Sequence, residues 1–306
     1  MSAGAAARPW VVARMVGAAA LWGGAYIAGR GLARDVPVLT AAALRYAIAA
    51  LALLAVLWVV ERGWPRGLRR HAWGLAALGF TGVFAYSLCF FSALHHIPAS
   101  RVALIMAANP SLTALAGALF LGAHLRALQW AGVALALAGA WVVISDGAPL
   151  QLAGSVGLGE ALSLGMALLW TAYTLVGRRV MADGSVSALA ATTAAALIGG
   201  AALVAALLVH AALVPEARAW PELDAVQWGA MLYIAVPATA LAFVWFYDGV
   251  RVLGAARAAV FNNLVPVFAV LFAAALLGEA LPPAALVGGV MTLAGVWLTN
   301  RTIHVA

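Results

Sequence analysis

Long apolar runs separated by short polar connections dominate the pattern of hydrophobic and polar positions along this chain. Each run is about 20 residues long, the length that an α-helix needs to cross the hydrocarbon core of a bilayer. The first run has no clear small-residue cleavage site, so we interpret it as a retained span. The pattern predicts ten transmembrane helices, at residues 10–30, 38–60, 73–94, 99–121, 126–144, 157–178, 187–209, 226–250, 255–277 and 284–301.

The composition agrees with this pattern. Hydrophobic residues make up 66% of the chain and charged residues 9%, whereas soluble domains carry about 25% charge. We therefore expect an all-α integral membrane protein, with the lipid bilayer as its surroundings. The single cysteine, Cys89, lies within an apolar run, and the six histidines fall near run ends or in connections. We expect no disulfide framework, no metal site and no cofactor.

The charged residues predict how the chain is oriented in the membrane. The net charge of +7 comes from 17 basic residues, all arginine, against ten acids. These arginines form no patch or stripe of the kind that binds nucleic acid, so we expect no nucleic-acid partner. With the N-terminus in the cytoplasm, twelve arginines lie on the cytoplasmic side and four outside, while Arg45 lies within the second span. The positive-inside rule therefore predicts that both termini are cytoplasmic.

The second half of the chain repeats the first. A shift of 148 residues aligns Trp22 with Trp170, and a shift of 156 aligns a longer block that matches Pro110 with Pro266. Each half holds five spans, an odd number, so corresponding helices must cross the bilayer in opposite directions. Such inverted repeats are typical of secondary transporters, whose binding site lies near the middle of the membrane. The predicted repeats are residues 10–144 and 157–301.

Four segments carry a resemblance to a known family: residues 93–103 (ALHHIPASRVA), 254–259 (GAARAA), 277–279 (LGE) and 293–296 (LAGV). They resemble the two EamA repeats of the drug/metabolite transporter superfamily, and the resemblance covers nearly the whole chain. One departure is that Gly122 is followed by Ala123, where the family has a Gly-Glu turn.

The resemblance implies two five-helix repeats in the bacterial inner membrane, with a central cavity lined mainly by spans 1, 3, 4, 6, 8 and 9. It also implies a transporter of small metabolites, similar to the aromatic amino-acid exporters of that family.

Prolines interrupt two of the predicted spans near their centres. A proline has no N–H, and its ring clashes with the carbonyl four residues earlier. Pro110 and Pro266 are therefore expected to kink their helices and to free the backbone carbonyls of Met106 and Asn262. In hydrocarbon, such a carbonyl is tolerated only where it meets protein or a water-filled cavity.

Asparagines accompany both prolines. Asn109 precedes Pro110, whereas Asn262 and Asn263 lie four and three residues before Pro266. An amide at mid-membrane can bond across a helix interface or contact a substrate. We favour the cavity for these amides.

Aromatic residues extend this candidate site. Trp22 and Trp170 are repeat mates near the middle of their spans, and Tyr26 and Thr174 each lie one turn further on. Core packing with a local hydrogen bond is the alternative for these residues. The predicted substrate-contacting residues are Trp22, Tyr26, Tyr86, Phe90, Met106, Asn109, Trp170, Thr174, Asn262 and Asn263.

Few charged residues fall within spans. Arg45 lies about seven residues from the outer end of the second span, so we favour a snorkelling anchor over a site for a substrate carboxylate. Glu160 opens the sixth span, where an acid suits the helix dipole. Asp248 lies near Arg251 and forms either a gate ion pair or a surface pair. No acid lies at mid-membrane, which disfavours proton coupling through a central carboxylate.

These patterns predict a monomeric secondary transporter that exports small amphipathic metabolites, such as amino acids, by alternating access. The resemblance supplies the direction of transport. A passive facilitator or channel and a multidrug efflux carrier are the alternatives. An enzyme is disfavoured, because the sequence shows no metal cluster, dyad or activated nucleophile and therefore no catalytic residues.

Overall fold

Ten long apolar helices form the fold. The computed structural model describes residues 3–63, 67–148, 156–214 and 221–300. Within these residues, ten helices are long and apolar enough to cross a membrane, as predicted. They are α1 (Ala3–Asp35), α2 (Val38–Glu61), α3 (Ala72–His96), α4a (Ala99–Met106) with α4b (Asn109–Leu121), α5 (Ala127–Ile144), α6 (Leu158–Val180), α7 (Ala188–Leu213), α8 (Ala225–Leu253), α9a (Ala255–Phe261) with α9b (Leu264–Leu277), and α10 (Pro283–Asn300). Five of the arginines counted for the membrane orientation lie wholly or by their side chains outside the described part: Arg66, Arg218 and Arg301, and the side chains of Arg8 and Arg257.

The ends of α4b and α9b show the inverted repeat in the backbone. Gly122 and Gly278 close these helices with φ of +67° and +63°, a left-handed conformation that favours glycine. The next N–H in each case, of Ala123 or Glu279, donates to a carbonyl six residues earlier at 3.1 Å. The two turns are 156 residues apart and lie at opposite ends of the bundle. We call these ends the Glu279 end and the Asp248 end, after residues located there.

Glycines bring α5 and α10 into close contact between the repeats. A Cβ built on Gly139 would lie 2.5 Å from the backbone nitrogen of Thr292. Gly288 on α10 faces Gly139, and a Cβ built on it would lie 2.6 Å from the carbonyl oxygen of Gly139. Gly132 and Gly295, each seven residues away along its helix, make the equivalent contact. In lipid there is no hydrophobic driving force for helix association, so helices associate by close packing. Faces of small residues permit this packing.

The helices α1 and α6 cross over into the opposite repeats. Helix α1 packs against α8 and α9b, and α6 packs against α3 and both parts of α4. Gly23 in α1 permits this approach, since a Cβ there would lie 2.6 Å from the Cβ of Phe268. The Tyr233 hydroxyl of α8 also donates to the Leu21 carbonyl at 3.0 Å. This exchange leaves α5 and α10 to one side and surrounds a central space with the other eight helices.

We expect Gly139→Ala to destabilise the protein. The added methyl group must separate α5 from α10, and overpacking of this kind costs about 1–3 kcal/mol. The thermal midpoint of the purified protein in detergent should fall by several degrees. Gly229→Ala in α8 is the control, because a Cβ there meets nothing within 4 Å. An equal effect of both variants would contradict the packing role of Gly139.

Candidate functional site

A cavity of about 220 Å³ lies between the two repeats. This volume is below the roughly 300–1,000 Å³ of pockets for drug-sized ligands, which suits a small metabolite. Eight helices line it, because α2 and α7 contribute in addition to α1, α3, α4, α6, α8 and α9. Nine of the ten residues predicted to contact substrate lie in its wall, as do both prolines: Trp22, Tyr26, Tyr86, Phe90, Met106, Asn109, Trp170, Asn262, Asn263, Pro110 and Pro266.

Both proline-containing helices break beside the cavity. Residues 107–108 and 262–263 form turns, and the N–H groups of Ala107 and Asn263 donate to carbonyls three residues earlier, at 3.2 and 3.1 Å. The prediction that the Asn262 carbonyl lacks a partner is wrong, since Val265 N donates to it at 3.1 Å. A tight turn replaces the bond that Pro266 cannot make.

Two π-helical segments mark the cavity wall at matching places in α3 and α8. They span Gly79–Ala85 and Val236–Leu241. Gly82 and Ala238, which are 156 residues apart, both line the cavity. π-Helical turns are rare and occur frequently at functional sites. The irregular backbone of all four segments, two breaks and two π turns, is therefore gathered around one space.

Aromatic rings cover two sides of the cavity. Trp22 contacts Phe243 and Phe246, with ring centroids 5.5 and 5.4 Å apart. Trp170 contacts Tyr86 at 5.2 Å. All five residues line the cavity. The two repeat-mate tryptophans thus each hold a cluster of rings against the central space.

Thr174 is the predicted contact that does not line the cavity. Its hydroxyl donates to the Trp170 carbonyl at 2.8 Å. Tyr173 takes the expected place and stacks on Trp170, with centroids 5.0 Å apart and planes at 29°. Positions three and four residues from Trp170 lie on the same helix face, so spacing alone could not choose between Tyr173 and Thr174.

The asparagines have different surroundings. The Asn109 amide nitrogen donates across the helix interface to the Ala167 carbonyl at 2.8 Å and lies 3.2 Å from the Thr171 hydroxyl. Asn109 therefore joins α4b to α6 while lining the cavity. The Oδ1 atom of Asn262 is buried and has no hydrogen-bond partner within the described part of the chain.

Arg45 is buried in the cavity wall, with 8% of its surface exposed. The prediction of a snorkelling anchor is therefore wrong. The guanidinium lies over the ring of Tyr46 at 5.0 Å and over that of Phe90 at 5.4 Å. Burial depends on which way a side chain leaves its helix, and distance from a span end does not report that direction.

Sequence reasoning also missed the contribution of α7. Thr192 lines the cavity and is hydrogen-bonded to the Tyr247 hydroxyl. Two adjacent threonines, Thr192 and Thr193, in an otherwise alanine-rich span were the available signal.

Ion pairs and caps join the repeats at the Glu279 end. The Glu279 carboxylate accepts hydrogen bonds from the N–H groups of Ala99 and Ser100, at 2.9 and 3.0 Å, and from the Ser100 hydroxyl at 2.6 Å. An acid at a helix N-terminus satisfies free N–H groups and complements the helix dipole. Glu160 lies 3.0 Å from the guanidinium of Arg101. Neither acid lines the cavity.

Asp248 joins the repeats at the other end of the bundle. Its carboxylate lies 2.7 Å from Arg14 of α1 and 2.7 Å from Arg251 of its own helix. Asp248 therefore forms both a pair between helices of opposite repeats, with Arg14, and a local pair, with Arg251.

A polar cluster ties two connections together near the Asp248 end. His71 lies 3.0 Å from a carboxylate oxygen of Asp183. Hydrogen bonds from the Ser185 hydroxyl and backbone N–H, together with His71, hold the pKa of Asp183 well below its usual value. Asp183 therefore stays ionised at neutral pH and keeps the α2–α3 and α6–α7 connections in contact.

The two half-helices that enter the breaks are packed unequally. In α4a, Ala103 and Leu104 are 2% and 6% exposed. Their repeat mates in α9a, Ala259 and Val260, are both exposed, Val260 by 48%. Glu279 caps α4a, whereas the repeat mate of Glu279 is Ala123, which has no carboxylate to cap α9a. The protein is therefore asymmetric although its scaffold is symmetric.

Inverted five-helix repeats, helix breaks at mid-span and a cavity between the repeats are the architecture that is typical of secondary transporters. The model of the EamA-like transporter family matches residues 9–145 and 157–301. The chain belongs to this family.

Several relatives align over most of the chain. An uncharacterized transporter, YyaM, of Bacillus subtilis is 28% identical over 87% of this chain and 85% of its own length. A protein of Streptantibioticus cattleyicolor, described as a probable terminal-alkyne amino-acid exporter, is 31% identical over 90% of this chain and 84% of its own. A probable amino-acid metabolite efflux pump of Escherichia coli K12 is 26% identical over 91% and 90%.

A solved crystal structure shares the fold. It superposes with a TM-score of 0.63 at 22% sequence identity and covers 94% of this chain and 98% of its own. At this identity the likeness supports the architecture alone.

We expect a cysteine at position 262 to be reached from the cavity. In a Cys89→Ser background, Asn262→Cys should react in detergent with a water-soluble maleimide. Ala269→Cys in the same helix is the control, because Ala269 is fully buried and outside the cavity wall. Labelling is read by mass spectrometry, and equal rates at the two positions would contradict an accessible cavity at Asn262.

Proposed function

We propose that this protein is a secondary transporter that exports small amphipathic metabolites, such as amino acids, by alternating access. One observation carries the proposal: the broken helices of two inverted repeats meet at a single cavity. In transporters of this architecture the substrate binds at the repeat interface, and one half rocks against the other around it.

The lining of the cavity supports a substrate with an apolar or aromatic body. Hydroxyl and amide groups are interspersed among the aromatic rings of the wall. Nine aromatic residues are among the described residues that line it: Trp22, Tyr26, Tyr46, Tyr86, Phe90, Trp170, Tyr173, Phe243 and Phe246. Two relatives described as exporters of amino acids or their metabolites favour the same class of substrate.

The unequal packing of the half-helices supports alternating access. In the conformation described here, α4a is buried and capped by Glu279 at one end, while Ala259 and Val260 of α9a are exposed. Exchanging these two arrangements between the inverted repeats would generate the opposite state. The Glu279 contacts would then break as the cavity opens toward that end.

The arginine distribution supports an orientation. The loops at the Asp248 end carry most of the arginines, so we place that end and both termini in the cytoplasm and the Glu279 end outside. The surroundings are then the bacterial inner membrane, and the working unit is a monomer with a small-molecule substrate.

Counterflow in proteoliposomes tests the transport function. Vesicles loaded with unlabelled L-phenylalanine or L-leucine should transiently accumulate the labelled amino acid. Trp170→Ala should reduce this exchange at least tenfold, because the indole and the rings stacked on it form one side of the cavity. Trp130→Ala on α5 is the control, since Trp130 is exposed and outside the cavity wall.

Two outcomes would contradict the carrier. The first is conductive flux without trans-acceleration, which a channel would give. The second is unchanged exchange in the Trp170→Ala variant, which would remove the cavity from the transport path.

Glu279→Gln should favour opening at the Glu279 end. An amide cannot accept all three hydrogen bonds that the carboxylate receives, and loss of one charge-assisted bond shifts an equilibrium by about tenfold or more. In intact cells, the Asn262→Cys protein should therefore react about tenfold faster with an impermeant maleimide added outside. Glu222→Gln removes an exposed acid from the same end and should leave the rate unchanged. Slower external labelling of the Glu279→Gln protein would contradict either the proposal that the Glu279 contacts keep this end closed or the proposed orientation.

A further inference from the structure

Among the described residues that line the cavity, Arg45 is the only charged one. Its side chain is more than nine-tenths buried, and its Nε and Nη1 atoms have no hydrogen-bond partner within the described residues. Other arginines in the described part have acids as partners, including Arg14, Arg101 and Arg251. Within the described part of the chain, the positive charge of Arg45 thus lies beside the cavity without a counter-charge.

Contacts with aromatic rings do not replace the missing acceptors. The faces of Tyr46 and Phe90 attract the guanidinium, but a ring face does not supply in-plane oxygen atoms for the N–H groups. A guanidinium presents a planar fork of donors that matches a carboxylate in a bidentate arrangement. An anionic group in the cavity would provide the acceptor oxygens that the Arg45 N–H groups lack within the described part of the protein.

A second unpaired group has the opposite hydrogen-bonding character. Asn262 Oδ1 is a buried acceptor with no donor in the described part of the chain, and Asn262 lines the same cavity. Because Arg45 is in α2 and Asn262 in the break of α9, the two groups come from different repeats. Donors without acceptors and an acceptor without a donor are complementary to a molecule that carries both.

We propose that Arg45 binds the carboxylate of the transported substrate. The Asn262 Oδ1 atom accepts a hydrogen bond from an N–H group of the same molecule, and the aromatic rings hold its apolar body. This inference rests on the proposed transport function and narrows its substrates to carboxylates with an apolar side chain, with amino acids among them. Lipophilic cations are excluded, because the cavity would place them beside an uncompensated positive charge.

A series of small probes tests the charge requirement without any mutation. L-Phenylalanine, 3-phenylpropionate, L-phenylalaninamide and phenethylamine share one ring, and only the first two carry a carboxylate. Binding to the purified protein in detergent is measured by tryptophan fluorescence, since Trp22 and Trp170 line the cavity, with L-leucine and L-leucinamide as a second pair. The carboxylates should bind at least tenfold more tightly than the amide and the amine.

Variants assign this preference to Arg45. Arg45→Gln should lower the affinity for L-phenylalanine to that for L-phenylalaninamide and leave the amide unchanged. Arg45→Lys should restore part of the preference, because it retains the charge without the fork. Arg34→Gln removes an exposed arginine and should leave the affinities at their wild-type values.

Three results would overturn the inference. They are wild-type binding of the amide as tight as that of the acid, absence of binding for every carboxylate, and a carboxylate preference that survives in Arg45→Gln. If Arg45→Gln does not fold, the wild-type series decides alone. Binding of carboxylates without counterflow would retain the anion site and refute transport. Counterflow of phenethylamine without binding of acids would retain transport and refute the anion site.

Discussion

The need to satisfy every backbone polar group inside a membrane governs this structure. Unbroken helices meet that need without help, whereas a break exposes N–H and C=O groups that hydrocarbon cannot bond. Both breaks, at residues 107–108 and 262–263, lie beside the cavity and keep tight-turn hydrogen bonds. Helices α5 and α10 are unbroken and pack by their glycines away from it. The cavity therefore lies where the backbone is irregular, because broken helices need surroundings other than hydrocarbon.

The repeat divides the molecule into shared and individual features. Prolines and glycine turns recur at a spacing of 156 residues, and the breaks and π-helical segments recur within one residue of that spacing. These features therefore belong to a scaffold that both halves use. Arg45, Asn109, Asn262 and Glu279 have no equivalent at that spacing. A symmetric scaffold gives two conformations of similar energy, and contacts found in only one half decide which of them is favoured. Residues outside the repeat pattern are therefore where conformational preference and substrate choice are expected to lie.

Hydrophobic run length and the repeat were sufficient to predict the ten helices and their inversion from the sequence. Nine of the ten residues predicted to contact substrate lie in one cavity wall. The repeat made this predictable, because matching residues near mid-span come together where the two inverted halves join. Side-chain direction was not predictable to the same degree. Tyr173 replaces Thr174 through a rotation of one position on α6, and Arg45 points inward where its distance from the span end had suggested a path to the surface. Both errors concern angles around a helix axis, which tertiary packing decides.

An unpaired charge in the cavity wall has a consequence for the transport cycle. Burying a guanidinium without a counter-ion costs on the order of several kcal/mol. This free-energy cost is largest when both ends of the cavity are closed to water. Under the proposed mechanism, a bound carboxylate would lower the energy of that closed state, whereas the empty protein would pass through it with the charge of Arg45 uncompensated. If Arg45 binds the substrate as proposed, the loaded protein therefore changes conformation faster than the empty one, and exchange exceeds net efflux. The same residue would then select the substrate and link the conformational change to its presence.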